Sequence, residues 1–337
     1  MTEVVRSFPC LGSQCTVIVR GSGSLGSPAQ AAAMVEARLL ALHAQFTRFE
    51  PGSELSTLNA DARDTVEVSP LMARFAEAAR SAATASGGLV DATLGSEIAR
   101  AGYAHHFDAE PVPLSAALAL APPRRAAAPH PQARWRALTV DRRAGTITRP
   151  AGLRIDSGGI AKGLFADVLA GALFSHPSFA VDCGGDLRLG GAEGERRPVL
   201  VESPFDGSTL HRFELSGGAV ATSGIGRRSW LDEAGRPAHH LLDPSTGRPA
   251  FTGIVQVTAR APTAVEAEMR SKAALLAGPD GAPSRLHHGG VVVYDDASFR
   301  VITPAAGGAP RQRPGSGSGL RACRGSATRA RWPSSRP

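Results

Sequence analysis

The sequence predicts an α+β (mixed α/β) fold, on three observations. The composition is globular, 42% hydrophobic and 20% charged over 337 residues, which excludes a disordered or collagen-like chain. Segments with helical spacing alternate with short β-branched runs. Those runs are joined by hairpin turns as well as crossovers, which argues against a purely parallel sheet. The length allows two domains or one large one.

Each element has its own signal. Residues 14–20 (QCTVIVR) read as a strand. After the turn GSGSLGSP, residues 29–48 carry apolar side chains at helical spacing. FEPGSELSTLNA is polar and turn-rich and is expected to be a loop holding caps. Residues 71–85 read as an amphipathic helix closed by Gly87-Gly88. VDATLGSEIARAGY predicts a loop and a short helix, and residues 104–134 a Pro/Ala-rich loop with a helix near 114–120. LTVDRRAGTITRP predicts a hairpin. IDSGGIAKGLFADVLAGAL predicts a strand end, a glycine turn and a helix. FAVDCGGDLRLGG, PVLVES and IVQVTARAP predict strands, with strand–loop pieces in GGAVATSGIGRRSW and HHLLDPSTGRPA. Residues 265–276 predict a helix, and GGVVVYDDASFRVIT a closing hairpin. Residues 304–337, rich in Arg, Gly, Pro and Ser, read as a disordered tail.

Charge and cysteine usage exclude several function classes. The net charge is +7, yet residues 304–337 alone hold seven Arg and no acid. Residues 1–303 therefore sum to zero, and no nucleic-acid partner is expected. Only two of the 37 cationic side chains are lysines, Lys162 and Lys272. A compact ammonium is not interchangeable with a guanidinium in a tight site. Cys10, Cys15, Cys183 and Cys323 show no CxxC pair and no Cys/His zinc spacing. No cationic start with an apolar stretch opens the chain, and no run of about 18 apolar residues suggests a membrane span. The cytoplasm is the expected compartment.

Four motifs could carry chemistry. In IDSGGIAKG, Lys162 and backbone N–H groups at a helix start would suit a phosphate; a plain glycine turn with a solvated lysine fits as well. GGAVATSGIG allows a flat ligand to approach closely, or is a tight strand corner. In HHLLDPSTGRP a histidine beside an acid could act as a base, or the segment is only a turn. In VEAEMRSKAALLAG, Glu268 and Lys272 share a helix face, which alone reads as an exposed ion pair. The pairs His105-His106 and His287-His288 read as surface residues.

Taken together and in order, eight segments resemble the ApbE family of FAD:protein FMN transferases. They are FPCLGS, FEPGSELSTLN, GGLVDATLG with AGY, IDSGGIAKG with Asp167, CGGD, ATSG, HHLLDPSTGRP and AEMRSKAALLAG. The resemblance implies one ApbE-like domain over 1–303. It implies transfer of FMN from FAD to a Thr or Ser hydroxyl of a target flavoprotein, with release of AMP. It also allows a FAD pyrophosphatase giving FMN and AMP, or a FAD-binding and delivery protein with little or no turnover. By the same resemblance, His240 is the catalytic base. Leu11, Phe49, Leu89, Val90, Asp91, Asp156, Lys162 and Leu242 lie against FAD. Phe49 stands where many members have Tyr.

The family commonly holds magnesium at the pyrophosphate; if this chain does so, the candidate ligands are the Gly159 carbonyl, Glu268 and Ser271. The usual Asp and Thr of that site are Glu268 and Lys272 in this chain. Magnesium demands near-octahedral oxygens, and an ammonium cannot ligate it. Two like charges about 4 Å apart repel by roughly 4 kcal/mol at an effective dielectric of 20. Three outcomes stay open: Lys272 takes the cation's place, the site is impaired, or magnesium binds with Lys272 turned away.

Overall fold

The structure is a computed structural model that describes residues 1–106 and 112–304. The expected tail, apart from Pro304, lies outside the described residues. The chain opens with β1 (Glu3–Cys10), β2 (Ser13–Arg20), α1 (Pro28–Phe46), α2 (Glu54–Ala60), β3 (Thr65–Glu67) and α3 (Pro70–Ser86). Next come α4 (Gly95–Arg100), α5 (Leu114–Ala119), β4 (Thr139–Asp141), β5 (Thr146–Thr148) and α6 (Ala161–Gly171). Strands β6 (Ser178–Asp182), β7 (Asp186–Gly190), β8 (Arg197–Glu202), β9 (Thr209–Leu215) and β10 (Gly218–Gly224) follow. The rest is β11 (Ser229–Leu231), β12 (Pro237–His239), β13 (Leu242–Asp243), β14 (Arg248–Pro249), β15 (Ile254–Ala261), α7 (Ala264–Gly281), β16 (Gly290–Tyr294) and β17 (Phe299–Ile302).

Eight strands form one sheet in the order β1-β2-β6-β7-β10-β15-β16-β17. Every neighbour is antiparallel, as an α+β fold requires. The period-two pattern of the strands decides which side each residue buries. Cys15, Val17 and Val19 of β2, with Phe179 and Val181 of β6, join the core under α1, α3 and α6. Their neighbours Ile18 and Ala180 point the other way and meet Val201, Phe213 and Leu215 of the β8–β9 hairpin.

The helix ends follow capping rules. Ser27 and Gln30 form a reciprocal capping box on α1. Gly87 closes α3 with φ 69°, a left-handed conformation that glycine adopts without penalty.

The structure departs from the sequence expectations in several places. Residues 54–60 are helical rather than a loop, because Ser53 caps the Ser56 N–H and Leu55 and Leu58 fill the core. Strands β1, β3 and β9 have no matching sequence expectation; β1 buries only Phe8 and Cys10, and β3 only Val66. Ile155 lies in no strand. The Asn59 side chain instead grips its backbone on both sides, at 2.7 and 2.8 Å. The last helix runs on to Gly281, broken at Gly278 (φ 72°, ψ 179°) before Pro279.

Two contacts lock α6 to α7. A Cβ at Gly163 would stand 2.5 Å from the Ala264 carbonyl oxygen, so only glycine permits the crossing. Asp167 then accepts from the Ala264 and Val265 N–H groups at 2.9 and 3.0 Å, capping the start of α7.

Candidate active site

The β1–β2 turn, the end of α1, residues 89–92, the start of α6, residues 240–242 and α7 surround one cleft that opens to solvent. Leu11, Phe49, Leu89, Val90, Asp91, Asp156, Gly159, Lys162, His240 and Leu242 all line it, and so does Lys272. Glu268 and Ser271 are fully buried behind the wall. Segments scattered over more than 260 positions are thus brought to one place.

The turn at Leu11-Gly12 has two residues, both with positive φ (56° and 63°). Such a hairpin turn favours Asn or Gly. Leu11 holds this strained conformation with its side chain on the cleft, the kind of outlier that clusters at functional sites. The Arg228 guanidinium fastens the turn by donating to the Leu11 carbonyl at 2.7 Å.

The inner wall is cationic. Lys162 lies 2.9 Å from the Asp186 carboxylate and reaches the Gly184 carbonyl at 3.4 Å. Burial pulls its pKa down, but Asp186 and Glu268 outweigh that and hold it above the ordinary lysine value. Lys272 donates to Glu268 Oε1 at 2.7 Å, while Glu268 Oε2 accepts the Gly163 N–H at 2.8 Å. Burial pushes the Glu268 carboxyl up to about 7, against the pull of Lys272. Along the helix alone the pair reads as exposed; in the fold Glu268 has no exposed surface, and the Lys272 side chain is 9% exposed. The helix start read as a phosphate cradle also has one donor, Gly163, already taken by the chain's own carboxylate. Asp182, which accepts from Gly185 N–H at 2.7 Å, is pushed up by burial to about 6.

His240 sits at this wall, partly buried, and its Nδ1 has no hydrogen-bond partner. Desolvation, then Arg228, His239, Lys272 and Lys162, drive its pKa well below the usual histidine value. That environment keeps the ring unprotonated and makes it a weaker base than a free imidazole. Asp243 does not serve it: that carboxylate accepts from Ser245 and the Ala128 N–H and pairs with Arg125. The acid makes the turn, and the histidine faces the cleft.

The outer end is aromatic. The Phe49 ring centroid lies 4.4 Å from that of His106 and 5.6 Å from that of Tyr103. The Arg48 guanidinium covers Phe49 and Tyr103 at 4.4 and 4.8 Å and pairs with Asp156 at 3.0 Å. His106, expected on the surface, is exposed but forms part of this rim. Arg48, Tyr103, His106 and Arg228 were missed. Nothing in the sequence separates two of so many arginines, although Tyr103 closes the quoted AGY segment.

The residues implied as magnesium ligands do not fit that ion. Both Glu268 oxygens are engaged. Ser271 Oγ contacts Ser223 Oγ at 2.7 Å and donates to the Glu268 carbonyl at 3.0 Å. Gly159 alone remains on the cleft. Among the described residues no group of three or more His, Cys, Asp or Glu side chains is arranged to hold a metal.

The structure is thus an antiparallel α+β scaffold holding a cleft with an aromatic rim and lysine, arginine and histidine side chains on its inner wall. The sequence pattern of the ApbE family matches residues 11–294, and the chain belongs to that family. It is 31% identical over 148 residues to the FAD:protein FMN transferase of Escherichia coli (strain K12), covering 42% of each chain. It is 28% identical over 259 residues to that of Rhodobacter capsulatus, covering 75% of this chain and 47% of the other. The matches thus span less than half the length of these relatives. Among solved structures, the ApbE protein of Thermotoga maritima has a TM-score of 0.73 and 25% identity, over 89% of this chain and 97% of that one. The apo flavinyl transferase ApbE of Pseudomonas stutzeri, at TM-score 0.71 and 23% identity over 90% of this chain and 95% of that one, shares the fold. No helix among the described residues is long and apolar enough to cross a membrane.

Proposed function

We propose that residues 1–303 form a flavin transferase domain that cuts FAD and passes its FMN half to a Thr or Ser hydroxyl of a flavoprotein. The observation that carries this reading is the convergence of His240, Lys162, Lys272 and Arg228 at one end of a cleft whose other end is the Phe49 rim. Phosphoryl-type transfer needs positioning and neutralisation of phosphate charge more than covalent help. In the proposed step the acceptor oxygen attacks the phosphorus of the FMN half. A new P–O bond forms, the bridging P–O bond breaks, and AMP leaves with its electron pair. The hydroxyl proton passes to the neutral His240.

Lys162 and Arg228 contribute in different ways. Lys162 is already paired with Asp186, so it is held in place before ligand arrives. Arg228 forms no ion pair with a carboxylate among the described residues and keeps its charge for the ligand. Leu11, Leu89, Val90, Asp91, Asp156 and Leu242 would shape the walls around FAD. Water in place of the acceptor hydroxyl would turn the same site to FAD hydrolysis. The cytoplasm is the proposed compartment, since Cys10, Cys15 and Cys183 are free thiols.

The test incubates the protein with FAD and a candidate flavoprotein. The expected result is flavin fluorescence that survives denaturation on the acceptor, with AMP in equal amount. AMP and FMN without labelled acceptor would point to hydrolysis. Neither product, with any acceptor, would refute the reading.

A further inference from the structure

We propose that the Lys272 ammonium is itself the cation of this site, so that the chain grips the ligand's diphosphate without a divalent ion. This rests on the FAD reading above. Three observations carry it. Lys162 and Lys272 are the only lysines in 337 residues, and both line the same cleft. Chance placement among the many surface positions does not favour that. Lys272 is also anchored from behind: Glu268, with no exposed surface, accepts from it at 2.7 Å and from the Gly163 N–H at 2.8 Å. One carboxylate therefore ties the ammonium to the start of α6, which is where a bound phosphate would lie. Finally, the oxygens that a small hard cation would need are engaged within the protein. Glu268 has both taken, and Ser271 is turned to Ser223. A magnesium ion would have to displace the ammonium to reach them.

The groups facing this point are Lys162, Arg228, His240, Asp186 and Glu268. The diphosphate would thus meet three fixed cations, two of them backed by their own carboxylates. A fixed ammonium needs no loading step, so binding should not respond to magnesium.

The experiment measures FAD binding by flavin fluorescence, in EDTA and in millimolar magnesium. Four proteins are compared: the full chain, Lys272→Arg, Lys272→Met, and Lys272→Met with Glu268→Gln. The double variant removes the buried pair together, so that no unpartnered carboxylate disturbs folding; circular dichroism checks this. The expected result is a wild-type Kd equal within about twofold in both buffers. The double variant should bind at least about tenfold more weakly, and magnesium should not restore it. Lys272→Arg should retain more affinity than Lys272→Met. Wild-type binding that requires magnesium would overturn the proposal while leaving the FAD reading intact. A folded double variant with wild-type affinity would do the same. No FAD binding by the wild type in either buffer would instead remove the FAD reading on which the proposal stands.

Discussion

At the residue scale, the site depends on groups held in states they would not adopt in water. His240 is kept neutral by desolvation and surrounding cations. His240→Ala should therefore lose flavin transfer by roughly two orders of magnitude or more, the usual contribution of a positioned base, while FAD affinity stays within about twofold. Parallel loss of affinity and rate, measured by fluorescence titration and AMP release, would mark the ring as structural. His239 gives a different prediction. Burial holds its pKa at about 3, below the value near 6.5 of an unfolded histidine. The unfolded chain takes up that proton first. The stability His239 contributes is thus complete above about pH 6.5 and is lost as pH falls toward 3. His239→Gln should flatten the acid limb of the stability curve by up to about 1.4 kcal/mol per pH unit in that window. Urea unfolding between pH 7 and 4 would show it, and an unchanged slope would contradict the assignment. Leu11 adds a trade-off between fold and site. Relieving its positive φ with Leu11→Gly should leave stability equal or higher, yet weaken FAD binding through loss of the side chain on the cleft.

At the element scale, the α6–α7 contact sets the geometry of the cationic wall. Gly163→Ala places a Cβ against the Ala264 backbone, which cannot yield as a side chain would. A cost of about 1–3 kcal/mol is expected, with weaker FAD binding because the anchor of Glu268 on Gly163 shifts. A stable variant with wild-type affinity would show that the crossing tolerates more space than its geometry implies. Glu268→Gln should cost more, about 3–5 kcal/mol, since it leaves the buried Lys272 ammonium without its carboxylate. Adding Lys272→Met should recover much of that loss in urea unfolding. The elements themselves were largely legible. The capped helices α1 and α3 and the β-branched strands β2, β6 and β15 stand where periodicity places them. Helix α2 was hidden because its short polar sequence is helical only through the Ser53 cap and two buried leucines. Strand β1 was hidden because only Phe8 and Cys10 are buried and Pro9 stands between them, so its sequence shows no sustained alternation.

At the scale of the whole molecule, the order of the eight motifs was legible, but the reason for their positions was not. Sequence spacing cannot show that Glu268 reaches Gly163, 105 residues earlier, or that Asn59 grips Ile155 across 96 residues. Those contacts are made only once the helices and loops pack on the antiparallel sheet. The ion pair Glu268–Lys272 illustrates the difference. Taken along the helix it is an ordinary surface pair; within the fold it is a buried clamp on the floor of the cleft. Arg228 carries no local sequence signal for the same reason. Its role comes from meeting Leu11 across 217 residues, not from its neighbours in sequence.

The most direct test is a crystal structure of the protein with FAD, grown in the presence of EDTA. The diphosphate should lie within hydrogen-bonding reach of Lys272 Nζ and the start of α6, with a flat ring against Phe49. Flavin seated elsewhere, or phosphates remote from both lysines, would contradict the account.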